Sequence, residues 1–420
     1  MTKKASEILL RIWILTFSVG ITKLGPIPIK TLIFALFSVA SIYLLAKKNR
    51  IIVKQGPGLL VLFFWLIVAT NIGFFNGFNY STVSQSSSLL ATFMIVIFSF
   101  LLHKNGLLNA ENIKNSIYLS AALGAIIKIS LGLGVVFGFL SAENIDDLMQ
   151  NYIGSTSFQA DAFGGFMGLL PRIGNAGDLF NLVVFLFYIK KNSGARVALA
   201  WALMLVFVLV TYSRYLILLF VIATLYATGS NIKEKSKAVM VATALIALAV
   251  TIHYTEADVI FAEFEERFTG YTQNQSDQIR EEQKLVLLRS FGDSPIFGAG
   301  LGGYERNYIR SPSNLWQYEM EYLSLLMQLG VLGFILIVAN FVLYVFRMLT
   351  GYDKIYFVPM AISMIFWIGT PVQSSIFSGT QSAVILLSIF FLSRKIAIRE
   401  SDPGRRTIQP YTSESSLCST

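Results

Sequence analysis

Three arginines and two glutamates carry the most distinctive chemistry in this chain. Arg172, Arg214 and Arg280 could bind the oxygens of a diphosphate, because planar guanidinium groups form bidentate, charge-assisted hydrogen bonds with phosphate. Glu319 and Glu321 could act as a general base that takes a proton from a hydroxyl group. Three such arginines could replace a metal ion, so the sequence predicts chemistry that needs neither a metal nor a cofactor.

Simpler interpretations of these residues stay open. Arg214 could extend its side chain to the membrane interface and have no further role. Either Glu319 or Glu321 could serve only to complement the dipole at the start of a helix, an effect of about 0.3 to 1 kcal/mol.

The composition indicates a membrane protein with many spans. Apolar residues make up 55% of the 420 residues and charged residues only 14%, and the mean hydropathy is +0.63. We predict an all-α fold, because helices are the realistic way for such segments to satisfy their backbone groups in lipid. Twelve segments have about the length needed to cross a bilayer: 8–24, 27–46, 58–76, 87–103, 115–140, 174–190, 196–210, 212–229, 238–253, 317–346, 355–371 and 376–393.

The distribution of lysine and arginine predicts the orientation. If the N-terminus is cytoplasmic, 22 of the 33 basic residues lie in or beside cytoplasmic segments. Residues 1–400 then form a single transmembrane domain, and 401–420 form a disordered cytoplasmic tail. The two large extracytoplasmic loops are 141–173 and 254–315, which are the surfaces large enough for an active site. The net charge of +9 is largely this topology signal together with attraction to anionic membrane lipids, and it requires no nucleic acid partner.

The second loop is predicted to contain short helices. Residues 256–268 have the rhythm of an interfacial amphipathic helix. Residues 276–289 are predicted to form another helix, capped at Ser276 or Asp277. A glycine-rich turn follows at 295–303, and it lacks the Gly-Lys-Ser/Thr ending of a nucleotide-binding loop.

Two further groups of residues allow two interpretations each. Lys128 and Asp178 fall inside predicted spans, where they could be functional or could pair to hold helices together. Six residues near the last part of the loop could line a groove for glycan or form an aromatic belt at the membrane interface: Tyr304, Arg306, Asn307, Tyr308, Arg310 and Trp316.

The order of these motifs resembles the bacterial O-antigen polymerase and O-antigen ligase superfamily. The resemblance rests on Arg280 in a short helix, on segment 293–300, and on segment 321–333 with its Gly330-Val331-Leu332-Gly333 element. Upstream, 171–175 resembles an arginine and asparagine motif at the start of a span in that family. Thr211-Tyr212-Ser213-Arg214 resembles its threonine/serine-arginine turn.

The resemblance implies a glycosyltransferase of the bacterial inner membrane whose donor is an undecaprenyl-diphosphate-linked oligosaccharide. In ligases of this superfamily, a histidine precedes the leucine-rich span, and Glu319 stands at that position here. This departure favours polymerisation of lipid-linked repeat units into O-antigen, capsule or exopolysaccharide on the outer face. The ligase itself and a flippase for the same lipid-linked oligosaccharide are the alternatives. A chain-length regulator protein stays open as a partner.

Overall fold

The computed structural model describes residues 3–19, 29–47, 56–141, 144–145, 147, 158–161, 172–175, 177–229, 271–310, 314–349, 352–368 and 380–394. Three predicted features lie outside these residues: the span at 238–253, the amphipathic helix at 256–268 and the tail at 401–420. Most of the first predicted loop, 141–173, is also outside them.

Helices dominate the described residues. They are α1 (Lys3–Val19), α2 (Ile29–Ala46), α3 (Gly56–Phe75), α4 (Asn79–Lys104), α5 (Ala110–Val136), α6 (Asp178–Lys191), α7 (Ala195–Thr211), α8 (Arg214–Gly229), α9 (Tyr271–Asp293), α10 (Glu321–Leu349), α11 (Phe357–Ile368) and α12 (Thr380–Leu392), with a 3-10 turn at Lys354–Tyr356.

Four helical segments are long and apolar enough to cross a membrane, namely Ile29–Ala46, Asn79–Lys104, Ala110–Val136 and Glu321–Ala339. Five more apolar segments are shorter, at Phe63–Phe75, Ala195–Thr211, Tyr215–Tyr226, Lys354–Ile368 and Gln381–Leu392. The predicted class of helical membrane protein is therefore confirmed. The count of twelve spans stays a prediction.

The structure corrects the sequence predictions at three places. A short antiparallel ribbon pairs β1 (Phe158–Asp161) with β2 (Arg172–Asn175), an element that the sequence did not predict within the otherwise helical fold. The span predicted to begin at residue 174 begins at Asp178 instead, because β2 occupies the preceding residues. Helix α9 begins at Tyr271, which places Ser276 and Asp277 inside the helix rather than at its cap.

Segments that the sequence predicts to be cytoplasmic lie together at one end of the bundle, where hydrogen bonds join them. The Lys3 ammonium donates to the carbonyl of Gly106 at 2.6 Å. The Lys114 ammonium donates to the carbonyl of Arg394 at 2.7 Å. Segments near both ends of the chain therefore share one end of the bundle, as the lysine and arginine distribution requires.

At the opposite end, the glycine-rich turn docks against a break in α10. Helix α10 is interrupted at Gly330, which has φ 64 and ψ 179. The backbone amide of Gly300 donates to the carbonyl of Gln328 at 2.8 Å, and the amide of Val331 donates to the carbonyl of Pro295 at 2.8 Å. The turn therefore supplies partners for backbone groups that the broken helix cannot pair internally.

The other side of the turn is bound to α3 and α4. The amide of Leu301 donates to the carbonyl of Ala69 at 2.9 Å, and the Thr82 hydroxyl donates to the carbonyl of Leu301 at 2.7 Å. The buried side chain of Gln85 accepts from the amide of Gly302 at 2.5 Å and donates to the side chain of Gln328 at 2.7 Å. Three helices are thus joined through one turn.

This docking explains the glycines at the contact. Gly298 and Gly330 have φ of +73 and +64, in the left-handed region that disfavours side chains. A Cβ at Gly330 would collide with the carbonyl of Ile296, and a Cβ at Gly333 would collide with the indole of Trp65 on α3. The Gly330-Val331-Leu332-Gly333 element is therefore a packing device in this fold.

Replacement of Gly330 should destabilise the protein strongly. We expect Gly330→Ala to cost about 1 to 3 kcal/mol for its backbone conformation, which is essentially restricted to glycine, and in addition to displace the docked backbone. The measurement is the thermal unfolding midpoint of the purified protein in detergent.

Two other glycines provide matched controls for this variant. Gly77 has φ +80 with open space around its would-be Cβ, so Gly77→Ala reports the backbone strain alone. Gly292 lies inside α9 with open space around it, and Gly292→Ala should be neutral or slightly stabilising. If Gly330→Ala were no more destabilising than Gly77→Ala, the docking argument would be wrong.

Candidate functional site

Glu319 lies between two arginines, Arg280 and Arg310. All three belong to the described residues 271–310 and 314–319, called here the polar loop. Its Oε1 accepts hydrogen bonds from Arg310, at 2.6 Å from Nη2 and 3.1 Å from Nε. Its Oε2 lies 3.5 Å from Nε of Arg280. The three side chains, called here the Glu319 cluster, are 29 to 40% exposed, so a ligand can reach them.

Helix α9 fixes the position of this cluster. Gln283, nearly one turn after Arg280, is completely buried and accepts a hydrogen bond from the amide of Met320 at 2.8 Å. The segment that carries Glu319 is therefore attached to the same face of α9 that carries Arg280. A buried glutamine at this point was not identified from the sequence as part of a site.

Glu321 lies in a different environment from Glu319. It is the first residue of α10, and only 5% of it is exposed. Its neighbour Tyr322 donates a hydrogen bond to the carbonyl of Ile368 on α11. The sequence offers both glutamates as candidate bases. In the structure the Glu319 carboxylate is accessible to a ligand, whereas Glu321 is buried.

The other two predicted arginines, Arg172 and Arg214, are each the first residue of an element. Arg172 is the first residue of β2, is half-buried and acts electrostatically on Lys128. Arg214 begins α8 two residues after Tyr212, which has a left-handed φ of 45; for Arg214 only the backbone is described. No hydrogen bond or ion pair joins Arg172 to the Glu319 cluster in the described part of the chain.

A buried ion pair lies close to Arg172 and to Thr211, the last residue of α7. The Lys128 ammonium is 2.5 Å from Oδ1 of Asp178, with side-chain exposures of 2% and 7%. It also donates to the Thr211 hydroxyl at 3.1 Å and lies 4.9 Å from the centre of the Phe207 ring. The interpretation of Lys128 and Asp178 as a pair that holds helices together is confirmed, and the pair joins α5, α6 and α7.

Replacing one member of this pair should destabilise the protein more than replacing both. We expect Lys128→Met or Asp178→Leu alone to destabilise the protein by about 3 to 5 kcal/mol, because one buried charge is left without its partner. The double variant Lys128→Met/Asp178→Leu should recover a large part of that loss. The measurement is denaturant unfolding in detergent.

An exposed pair on α9 is the control for this experiment. Lys284 lies 2.9 Å from Glu281, and both side chains are largely exposed, so Lys284→Met should change stability by less than about 1 kcal/mol. If the double variant were as unstable as the sum of the single variants, the two residues would not act as a compensated pair.

A pocket of about 380 Å³ opens between the end of α9, the glycine-rich turn and the turn from α3 to α4. Its lining is mainly polar and aromatic: Asn76, Phe78, Ser290, Asp293, Ser294, Tyr304, Glu305, Arg306 and Asn307, with Ala299 and Met327 at the base. We call this the loop pocket. Its volume is within the range of roughly 300 to 1,000 Å³ that is common for ligand sites.

The six predicted glycan residues are divided by the structure. Tyr304, Arg306 and Asn307 line the loop pocket. The other three lie elsewhere: Arg310 is in the Glu319 cluster, and Tyr308 donates its hydroxyl to the carbonyl of Ile279 at 3.1 Å.

Trp316, the last of the six, is 7% exposed and packs against α4 near Ser84. The loop pocket therefore contains three of the six residues, and a glycan groove and an aromatic belt both stay predictions for the group. Asn76, a pocket residue on another segment, carries no distinctive sequence signal, whereas Asp293 begins segment 293–300 of the resemblance.

Comparison with known families agrees with the resemblance. A family model described as O-Antigen ligase matches residues 199–338, a third of the chain. The match contains Arg214, Arg280 and Glu319, and it ends after the break in α10. It supports the O-antigen ligase and polymerase superfamily, and hence a membrane enzyme that transfers glycans, without distinguishing a polymerase from a ligase. No curated protein matches the chain.

Proposed function

We propose that this chain is a metal-independent glycosyltransferase that polymerises undecaprenyl-diphosphate-linked repeat units on the outer face of the bacterial inner membrane. The observation that carries the proposal is the Glu319 cluster: a ligand-accessible carboxylate paired with two arginines, inside the segment that matches the family model. This arrangement unites a candidate base with candidate ligands for a diphosphate.

The proposed reaction is a transfer between two lipid-linked substrates. A hydroxyl oxygen on the incoming repeat unit attacks the anomeric carbon of the growing chain, and the bond from that carbon to the diphosphate oxygen breaks. Undecaprenyl diphosphate leaves with the bonding electrons, and the proton of the attacking hydroxyl passes to a carboxylate. A new glycosidic bond and free undecaprenyl diphosphate are the products.

Glu319 suits the role of base better than Glu321. A general base must come within hydrogen-bond reach of the hydroxyl from which it takes a proton. Glu319 is 30% exposed at the surface of the loop, whereas Glu321 is buried at the start of α10. We assign Glu321 the structural role of a negative charge at a helix N-terminus.

Arg280 and Arg310 then have two successive partners. Without substrate they bind Glu319 at 3.5 and 2.6 Å. A diphosphate offers these guanidinium groups more negative charge and more acceptor oxygens than one carboxylate does. Binding of the donor would therefore draw the arginines to the diphosphate and release Glu319 to accept a proton. Arg172 and Arg214 are proposed to contact the same diphosphate or the second one.

The end-to-end arrangement of the bundle supports an extracytoplasmic site. The lysine-rich and arginine-rich segments meet at one end, as the contact between Lys114 and Arg394 illustrates. The Glu319 cluster belongs to the polar loop at the other end, where the glycine-rich turn docks. By the preference of basic residues for the cytoplasm, the site faces outward and both termini face inward.

A ligase is the second candidate, and the description of the matching family favours it. Glu319 occupies the position where ligases of the superfamily carry a histidine, and this difference in the base favours polymerisation. The acceptor decides between the two: another lipid-linked repeat unit for the polymerase, and a lipid A core for the ligase.

Polymerisation should become slower when a residue of the Glu319 cluster is replaced. With purified protein and a lipid-diphosphate-linked repeat unit, we expect the wild type to form a ladder of glycans on a gel. Arg280→Ala and Arg310→Ala should slow extension about tenfold or more, because each removes a charge-assisted hydrogen bond. Glu319→Gln should slow it roughly 10²-fold or more, the usual range for loss of a general base, and Glu321→Gln should have a smaller effect.

Arg289→Ala is the matched control, because Arg289 is an exposed arginine on the same helix and outside the cluster. Extension by the wild type only when lipid A core is supplied would replace the polymerase with the ligase. An unextended repeat unit that is nevertheless moved across reconstituted vesicles would replace the enzyme with a flippase.

A further inference from the structure

The loop pocket is lined by the side-chain types that bind uncharged sugars. Asp293 and Glu305 provide carboxylate acceptors for sugar hydroxyl groups, and Asn307 provides both a donor and an acceptor. Phe78 and Tyr304 provide aromatic surface, with ring centres 5.2 Å apart and planes inclined by 56°. Aromatic side chains offer apolar surface against which the apolar side of a pyranose can pack.

Internal hydrogen bonds hold the acceptors of the pocket in place. The Ser290 hydroxyl donates to Oε2 of Glu305 at 2.6 Å. The backbone amide of Glu305 donates to the hydroxyl of Tyr318 at 2.8 Å. Burial raises the pKa of Tyr318 to about 12, so this hydroxyl stays protonated and can donate in turn to the carbonyl of Tyr308. Glu305 is therefore oriented before any ligand binds.

The opposite wall of the pocket is fixed by the transmembrane helices. The Asn76 side-chain amide donates to the carbonyl of Ala299 at 2.8 Å, which attaches the turn from α3 to α4 to the glycine-rich turn. Since the glycine-rich turn is itself docked on α10, the pocket is bounded by segments that are fixed to one another. A preformed pocket binds with less loss of conformational entropy than a mobile one.

The charge of the loop pocket differs from the charge expected of a site that binds diphosphate. Two carboxylates, Asp293 and Glu305, face one guanidinium group, Arg306. This balance repels phosphate and the carboxylate of an acidic sugar, whereas neutral hydroxyl groups can donate to both carboxylates. The Glu319 cluster has the reverse balance, with two arginines and one glutamate.

We propose that the loop pocket is a saccharide subsite for uncharged, hydroxyl-rich sugars and that it holds part of a glycan substrate next to the transfer site. The inference rests on the proposed function only for the source of the saccharide. Its volume of about 380 Å³ suits a short saccharide rather than a long polymer. The pocket thus contributes to the selection of the repeat unit, while the Glu319 cluster binds the lipid diphosphate.

The test is direct binding of soluble sugars to the full chain in nanodiscs. The probes are a panel of neutral hexoses and N-acetylhexosamines, their disaccharides, and the matching uronic acids, all without lipid or phosphate. Saturation-transfer NMR, which detects weak ligands, should show binding of neutral members and little or none of the uronic acids. Asp293→Asn and Glu305→Gln should each weaken the binding of the best neutral member about tenfold, and Tyr304→Ala should weaken it further.

Controls keep this result separate from misfolding. Glu281→Gln removes an exposed carboxylate from the same helix outside the pocket and should leave saccharide binding unchanged. Tyr304→Phe keeps the aromatic ring and should retain most of the binding that Tyr304→Ala loses. Asp293 is exposed, so Asp293→Asn should leave the unfolding midpoint close to that of the wild type.

The outcomes distinguish this inference from the proposed function. If no neutral saccharide binds, if uronic acids bind better, or if the pocket variants bind as the wild type does, the subsite is overturned even when the wild type forms a glycan ladder. If neutral saccharides bind in the pocket but the wild type extends no lipid-linked repeat unit, the subsite stands and the polymerase fails.

Discussion

The fold depends on the backbone hydrogen bonds between the glycine-rich turn and the interrupted helix α10. A helix that breaks inside an apolar bundle leaves amides and carbonyls without intrahelical partners, and in lipid each such group costs several kcal/mol. Here the turn provides those partners, as when the amide of Gly300 donates to the carbonyl of Gln328. The glycine-rich turn and the break in α10 therefore stabilise each other.

This constraint also positions the polar loop on the bundle. The turn directly follows α9, which carries Ser290 and Asp293 of the loop pocket, and it precedes the pocket residues 304–307. Its attachment to α3, α4 and α10 therefore fixes both segments. Gln85 and Gln328 connect α4, the turn and α10 through buried side-chain amides. Buried polar networks of this kind are favourable when their members are paired, and they specify one arrangement of the elements. The candidate site is thus held by helices: Arg280 lies on α9 itself, and the loop residues Arg310 and Glu319 are attached to it.

The charges of the described residues divide into two kinds by environment. Lys128 and Asp178 are almost completely buried, and separating them would leave a charge in an apolar interior. Arg280, Arg310 and Glu319 are partly exposed, and water can replace each partner at small cost. The first pair is therefore suited to holding helices, and the second group is suited to exchanging its partners for those of a ligand.

Sequence alone determined the membrane class and the approximate positions of most described helices, because apolar length and charge placement are local properties of the chain. It also singled out Arg280 and Glu319, whose roles are a proposal. It could not place the break at Gly330, the ribbon at β2 or the difference in burial between Glu319 and Glu321. It also left six loop residues open between a glycan groove and an aromatic belt, whereas the structure places three of them at the loop pocket and three elsewhere. Those features depend on contacts between segments far apart in the chain, such as Asn76 with the glycine-rich turn, and only the tertiary structure decides such contacts.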